Sequence, residues 1–317
     1  MPYRLQPGES VPGALRRSGR EQLENAIGEL TDGVKVDVVK AVHDARKALK
    51  KERSLLRLGR GTLPAAERRR ENDALRDAAR SLGAARDADV MVDALDGLAD
   101  RYAGQLPKAT FDAVRRQLEA ERRVARRLLE QDDATEWVNA ELREAALRID
   151  EWPLERDGWP AIAGGLRRGY AGGRTAFTRA RARPTDKNLH AWRKRSKDLW
   201  YHLRWLAPIS PRTMRGHAED AHRLADLLGD DHDLAVLRST LVDLDGQIPR
   251  DLDPLLGLIE HRRAQLQTEA MFLGERLYAE KPKAFVRRLR RYWRAWRNET
   301  RAVASHRPAE LAEAAQG

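Results

Sequence analysis

Val42-His43-Asp44-Ala45-Arg46-Lys47-Ala48-Leu49-Lys50 returns 147 residues later as Leu189-His190-Ala191-Trp192-Arg193-Lys194-Arg195-Ser196-Lys197. Both stretches read as amphipathic helices, because positions three, four and seven apart share a helical face. Val42, Ala45, Leu49 and Leu56 make the apolar stripe of the first copy; Leu189, Trp192, Leu199 and Leu203 make that of the second. The polar side of the first copy carries His43, Arg46, Lys47, Lys50 and Arg57. The second repeats it with His190, Arg193, Lys194, Lys197 and Arg204. At 1.5 Å per residue each cationic stripe is about 21 Å long.

The duplication extends outward. Val11–Arg17 is similar to Ile162–Arg168, Leu82–Asp87 to Leu228–Asp233, and Leu118–Arg123 to Leu258–Arg263. Kept order and a nearly constant offset predict a repeated helical unit. The halves run over about 1–150 and 155–300, joined near Glu151–Pro160, each with four main helices. Two four-helix bundles around a pseudo-twofold axis would form one domain over 1–300. Residues 301–317 are Ala/Glu-rich and read as a disordered tail. Helical spacing also links Val114, Leu118, Ala125 and Leu129. Turn chemistry breaks the chain at Gly59–Pro64, Pro107, Pro153, Pro160, Pro184 and Ala207–Pro211. No stretch alternates as a strand does, so the expected fold is all-α, with nine or ten helices.

Composition narrows the function. The 317 residues hold 60 Lys plus Arg against 49 Asp plus Glu, a net charge of +11, with 41% hydrophobic residues to fill a core. There is no cysteine, which excludes disulfides, thiolate metal sites and a Cys nucleophile. No apolar run reaches the roughly 20 residues of a membrane span. The opening Met1–Pro7 lacks the apolar core of a secretory signal, so a cytoplasmic protein is expected. Phosphate-loop and nucleophile-elbow motifs are absent, and Gly164-Gly165 and Gly172-Gly173 follow no strand.

Like charges at i,i+4 destabilise a helix by roughly 0.2–0.5 kcal/mol per pair. Carrying that cost in both copies points to a polyanion, against the plainer reading of a solvated basic face. Lys supplies a mobile point charge, Arg a fork for phosphate oxygens, and His a donor whose charge responds to an adjacent anion. The histidine pair predicts an affinity that changes near pH 6–7. Secondary candidates for the same surface are Arg16, Arg17, Arg20, Arg123, Arg126, Arg167, Arg168, Tyr201 and Arg263. Of each adjacent Arg pair only one can face a ligand squarely. Asp87 and Asp233 are read as orienting groups. His217, Asp220, His222, Asp230, Asp231, His232 and Asp233 crowd one segment, but their spacing is poor for a metal and the first half has no counterpart. No catalytic residue, metal or cofactor is therefore expected. Trp192, Trp200 and Trp205 read as packing residues.

The two His-x-x-Arg-Lys-x-x-Lys helices, together with Leu82–Val90 and its partner Leu228–Val236, resemble the CHAD domain, the conserved histidine α-helical domain. The resemblance covers residues 5 to 300. It implies two pseudo-twofold-related four-helix bundles with basic helices lining a central groove or pore. It further implies that inorganic polyphosphate is the ligand, held by His43, Arg46, Lys47, Lys50, Arg57, His190, Arg193, Lys194, Lys197 and Arg204. Lys51 is matched by Asp198 and Glu52 by Leu199, which puts those positions outside the stripes; Arg86 is matched by His232, and Ser54 by Tyr201. By the same resemblance the chain would be a stand-alone member without catalytic activity, found with polyphosphate granules and partnered by a CYTH-type or other polyphosphate-metabolising enzyme. Nucleic acid would be only a competing polyanion. The alternatives are a nucleic-acid-binding protein and a metal-dependent phosphohydrolase centred near Asp231.

Overall fold

The computed structural model describes residues 3–131, 134–244, 248 and 251–314, without the side chains of 84–87, 128–131, 134 and 306–314. Arg86, Asp87 and Leu129 thus lie outside the described side chains. Among the described residues the chain is helical throughout: α1 (Val11–Thr31), α2 (Val38–Leu58), α3 (Ala65–Ser81), α4 (Ala84–Arg101), α5 (Lys108–Gln131), α6 (Ala134–Asp150), α7 (Gly158–Ala182), α8 (Asp186–Trp205), α9 (Pro211–Asp243), α10 (Asp253–Leu277) and α11 (Pro282–Ala314). Short 3-10 turns sit at Gly33–Lys35, Gly59–Gly61 and Ala207–Ile209. No helix is long and apolar enough to cross a membrane among the described residues. Helix α11 continues through Ala314, past the position where the sequence ends the domain; its Ala/Glu-rich end has high helix propensity.

Side-chain caps start the helices that matter most. Ser10 accepts from the Gly13 N–H at α1, Asp37 from Lys40 at α2 and Thr185 from Asn188 at α8. Each satisfies an N–H that the helix cannot, worth about 1 kcal/mol.

The buried side chains fall into two cores. Leu23, Val42, Leu49, Leu75, Leu142 and Ile149 join α1, α2, α3 and α6. Leu166, Trp192, Trp205, Leu228, Leu266 and Leu289 join α7 to α11. Val92, Leu95, Val114 and Leu118 place α4 and α5 in this second core, with α4 packed on α9. The first half of the sequence therefore feeds both cores, instead of enclosing one of its own. The physical reason is the break at Leu82-Gly83, which separates α3 from α4, whereas the matching Leu228-Gly229 lies inside the unbroken α9.

The paired glycines of α7 are explained by close helix approach. A Cβ at Gly165 would collide with the Arg57 and Leu58 carbonyls, and one at Gly173 with the Tyr278 ring. Trp192 and Trp205 are fully buried, and Trp205 Nε1 donates to Ser18 Oγ on α1 at 3.0 Å.

Glu52 is 1% exposed, and neither carboxylate oxygen has a hydrogen-bond partner. Burial, with Glu71 nearby, pushes its pKa up to about 8. The folded protein holds the proton that the unfolded chain gives up near pH 4.5. Stability from this group is intact below that pH and is lost as pH rises toward 8. Glu52→Leu, the residue at matching position 199, should raise the melting temperature. The gain should be small at pH 5 and reach the order of a few kcal/mol at pH 8–9. Thermal melts across that range check it; a gain independent of pH would contradict the assignment.

Candidate functional site

The two sequence copies meet where α2 crosses α8. Arg57 Nη1 pairs with Asp198 Oδ1 at 3.1 Å, Ser54 Oγ donates to the Asp198 carbonyl at 3.3 Å, and His202 Nε2 donates to the Ser54 carbonyl at 3.0 Å. Lys51 lies beside Arg204; burial first, then Arg204 and Lys47, hold its ammonium pKa down. Contacts thus link 57 to 198 and 51 to 204, the register of an antiparallel crossing. The histidine-bearing segments, residues 38–50 and 186–197, leave it in opposite directions.

Along the first stripe, Lys47 and Lys50 are exposed while His43, Arg46 and Arg57 are half-buried. Arg46 Nη1 donates to the Ala79 carbonyl at 3.0 Å and lies against Gly83. Along the second, Lys194 is exposed and His190, Arg193, Lys197 and Arg204 are half-buried. Arg193 lies against Gly229, the counterpart of Gly83. The Leu-Gly motif therefore seats the same arginine in each copy. Lys47 Nζ is 3.9 Å from Asp44, and the Arg204 guanidinium sits 5.2 Å over the Trp200 ring.

His190 faces His232 with ring centroids 4.2 Å apart. Burial, His232, Lys194 and Arg193 together push the His190 pKa down to about 4, and burial and Arg193 lower that of His232. A change of charge at His190 near pH 6–7, which the sequence suggests, is displaced downward by desolvation and by its cationic neighbours.

Several secondary candidates are engaged within the protein. Arg16 Nη2 donates to the Trp152 carbonyl at 2.6 Å; Arg17 holds Glu9 and Glu21; Arg20 pairs with Asp150. Arg126 pairs with Asp89 at 2.6 Å, and Arg123, exposed, reaches Glu119 at 4.0 Å. Arg167 and Arg168 are exposed. Arg263 and Tyr201 depart from the expected ligand-facing surface. Arg263 is 7% exposed and clasped by Asp231 and Asp186, and Tyr201 is buried edge-on to Tyr3. The Asp/His segment does not converge. Asp231 accepts from Arg263 and Gln267, His222 lies tilted against Trp200, and the His217 ring is parallel to that of Phe285. Among the described residues no cluster of His, Asp and Glu suited to a metal is present.

Arg53, Arg60, Arg68 and Arg195 are cations near the crossing that the sequence reading did not single out. Asn72 Oδ1 accepts from Arg53 at 3.2 Å and Arg57 at 3.3 Å, and Arg195 lies 3.6 Å from Asp198. The visible signals were Gly59-Arg60-Gly61, read as a turn, and Arg68-Arg69-Arg70, whose helical phase is ambiguous by sequence. On the other side of the crossing is a cavity of about 910 Å³, lined by Tyr3, Trp200, Arg204, Arg215, His222 and Trp296 among others.

The family model of the CHAD domain matches residues 18–242. Among solved structures the fold is similar to PptA from Streptomyces chartreusis, with a TM-score of 0.55 and 16% identity over 84% of this chain and 98% of that one. It is also similar to the CHAD domain from the plant Ricinus communis, with a TM-score of 0.50 and 19% identity over 92% and 94%. Two curated relatives from Mycobacterium tuberculosis, the uncharacterized proteins MT2285 and Rv2226, are each 29% identical over 254 residues, 76% of this chain. The chain covers 47% of the length of those relatives.

The half-buried pair of His190 and His232 has a measurable consequence. Its folded-state pKa values are depressed, so its contribution to stability is present above pH 6.5 and falls away as pH drops toward 4. An NMR titration of the free protein should show the His190 ring neutral down to about pH 5. A midpoint between 6 and 7 would mean that the ring is solvated.

Proposed function

This chain belongs to the CHAD domain family, and on that premise we propose that it binds inorganic polyphosphate along the cationic helices α2 and α8. The supporting observation is that both His-x-x-Arg-Lys-x-x-Lys copies run to one crossing, with Lys47, Lys50 and Lys194 exposed beside it. A flexible chain of phosphates laid there meets Lys point charges along the stripes and Arg forks near the crossing. The free energy comes from counterions released by the polyanion and from charge-assisted hydrogen bonds, so affinity falls with salt and grows with chain length. Arg46 and Arg193 lie against Gly83 and Gly229, which places the same guanidinium alike in the two stripes.

The reading is of a binding module without catalysis, acting as a polyphosphate-granule component or beside a CYTH-type or other polyphosphate-metabolising enzyme. A phosphohydrolase centred on Asp231 has less support, because that carboxylate is already shared by Arg263 and Gln267. RNA and DNA enter as competing polyanions.

Calorimetric titration with long-chain polyphosphate in chelator, against RNA of matched phosphate content, tests the reading. Polyphosphate should bind far more tightly. Lys50→Ala and Lys197→Ala should each weaken it by about 3- to 10-fold, with losses that multiply in the double variant. RNA binding as tight as polyphosphate would move the function to nucleic acid, and unchanged affinity in the double variant would remove the stripes from the site.

A further inference from the structure

The arginines around the Arg57–Asp198 contact differ from the two stripes in composition and in surroundings. Gly165 lies under the Arg57 and Leu58 carbonyls, and a Cβ at Gly172 would stand 3.6 Å from Arg195 Nε. Residues 165, 168 and 172 share one face of α7, so Arg168 is aimed between those two contacts. Asn72 ties Arg53 to Arg57, and Asp198 ties Arg57 to Arg195. Arg60 and Arg68 complete the group. Burial holds both guanidinium pKa values down, with Arg57 and Arg168 among the neighbours adding to it. Arg68 Nε is buried without a hydrogen-bond partner. Among the described residues, Asp198 is the only carboxylate within ion-pair distance of Arg53, Arg57, Arg60, Arg68, Arg168 or Arg195.

The repeat supplies an internal control. At the 147-residue offset of α2 and α8, Arg53 becomes Trp200, Arg57 becomes Arg204 and Arg60 becomes Ala207; at the 146-residue offset set by Gly83 and Gly229, Arg68 becomes Met214 and Asn72 becomes Ala218. Arg195 corresponds in turn to Ala48. The equivalent place is the aromatic cavity, capped by Tyr3 and provided with a carboxylate. The excess of guanidinium groups therefore belongs to one side of the crossing alone. Folding does not require it there, since the other side is built without it. Arg57, Arg60 and Arg68 are half-buried, and like charges there with so little compensation cost stability unless an anion completes them; Arg168 and Arg195 stand exposed at the edge of the group.

We propose that Arg57, Arg60, Arg68, Arg168 and Arg195 form a one-sided oligophosphate site, which grips a short run of phosphates with guanidinium forks and seats the polyphosphate chain asymmetrically across the crossing. Arg is suited to this role because its planar fork binds two phosphate oxygens at once, whereas the lysines of the stripes act as mobile point charges. Arg53, held by Asn72, supports Arg57 from behind. The inference rests on the polyphosphate reading and adds to it a place where a few phosphates suffice for binding.

The test is calorimetric titration of the full chain with sodium tripolyphosphate in chelator, run beside long-chain polyphosphate. Wild type should bind tripolyphosphate, and Arg60→Gln with Arg168→Gln should weaken it by about tenfold or more. Arg215→Gln, on the aromatic side, should leave it within about twofold, the range expected of a surface charge outside the site. Arg60→Lys with Arg168→Lys preserves charge and should fold as wild type by circular dichroism, yet lose several-fold because the forks are gone. Wild type that binds long chains but not tripolyphosphate would overturn the proposal while the wider reading stands. So would Gln variants that bind tripolyphosphate unchanged, or an equal loss on Arg215→Gln. Wild type that binds no long-chain polyphosphate would overturn both.

Discussion

The crossing of α2 over α8 is held by buried polar contacts that tolerate little error. His202 is fully desolvated, which lowers its pKa, and its Nε2–H donates to the Ser54 carbonyl. Arg57 reaches across to Asp198, whose own backbone carbonyl accepts from Ser54. Leaving one such buried group unpaired costs about 1–3 kcal/mol. These bonds fix the register between the two copies of the sequence, and the placement of both cationic stripes follows from it. Tyr3 reinforces the same place by donating to the Lys51 carbonyl at 3.1 Å, so the N-terminal segment is part of the crossing too.

Electrostatics at that crossing is uneven in an instructive way. Positions 57 and 204 are equivalent arginines, but the positions they meet, 198 and 51, are an aspartate and a lysine. One contact is an ion pair; the other sets like charges together and adds to burial in lowering the Lys51 pKa. The second is relieved in part by aromatic faces, with Arg204 over Trp200 and Lys51 Nζ 6.0 Å from the Tyr3 ring. A duplicated scaffold has thus kept its helices while its charges diverged. The scaffold depends on buried apolar area, which many side chains share, whereas a local potential is set by a few residues and changes with each of them.

Much of the site was legible in the sequence because helical periodicity is local. The apolar stripe of Val42, Ala45 and Leu49 and the cationic stripe of His43, Arg46 and Lys50 follow from spacing alone, and α2 and α8 fall where that spacing puts them. The partners of Arg16, Arg17, Arg20 and Arg263 were not legible. Arg263 is indistinguishable by sequence from a surface arginine, yet Asp231 and Asp186, distant in the chain, draw it into the core. The same holds for Glu52, whose burial is decided by the approach of α1 and α6 at Gly19 and Ile149. Gly165 and Gly173, enigmatic as a motif, make sense once α7 is seen against the end of α2 and the Tyr278 ring.

By itself the sequence determined an all-helical chain, its internal duplication and the faces on which charge gathers. These are properties of residues within a few turns of each other, encoded by a period of 3.6. Tertiary structure decided that α4 and α5 join the second core, that the histidine-bearing segments diverge from the crossing, and that burial, with His232 alongside, holds the His190 pKa down. It also decided which arginines find carboxylates and which, around Arg60 and Arg168, stand together. Burial and Coulomb interactions act through space between residues that the chain separates by tens of positions to more than a hundred, and no local pattern encodes them.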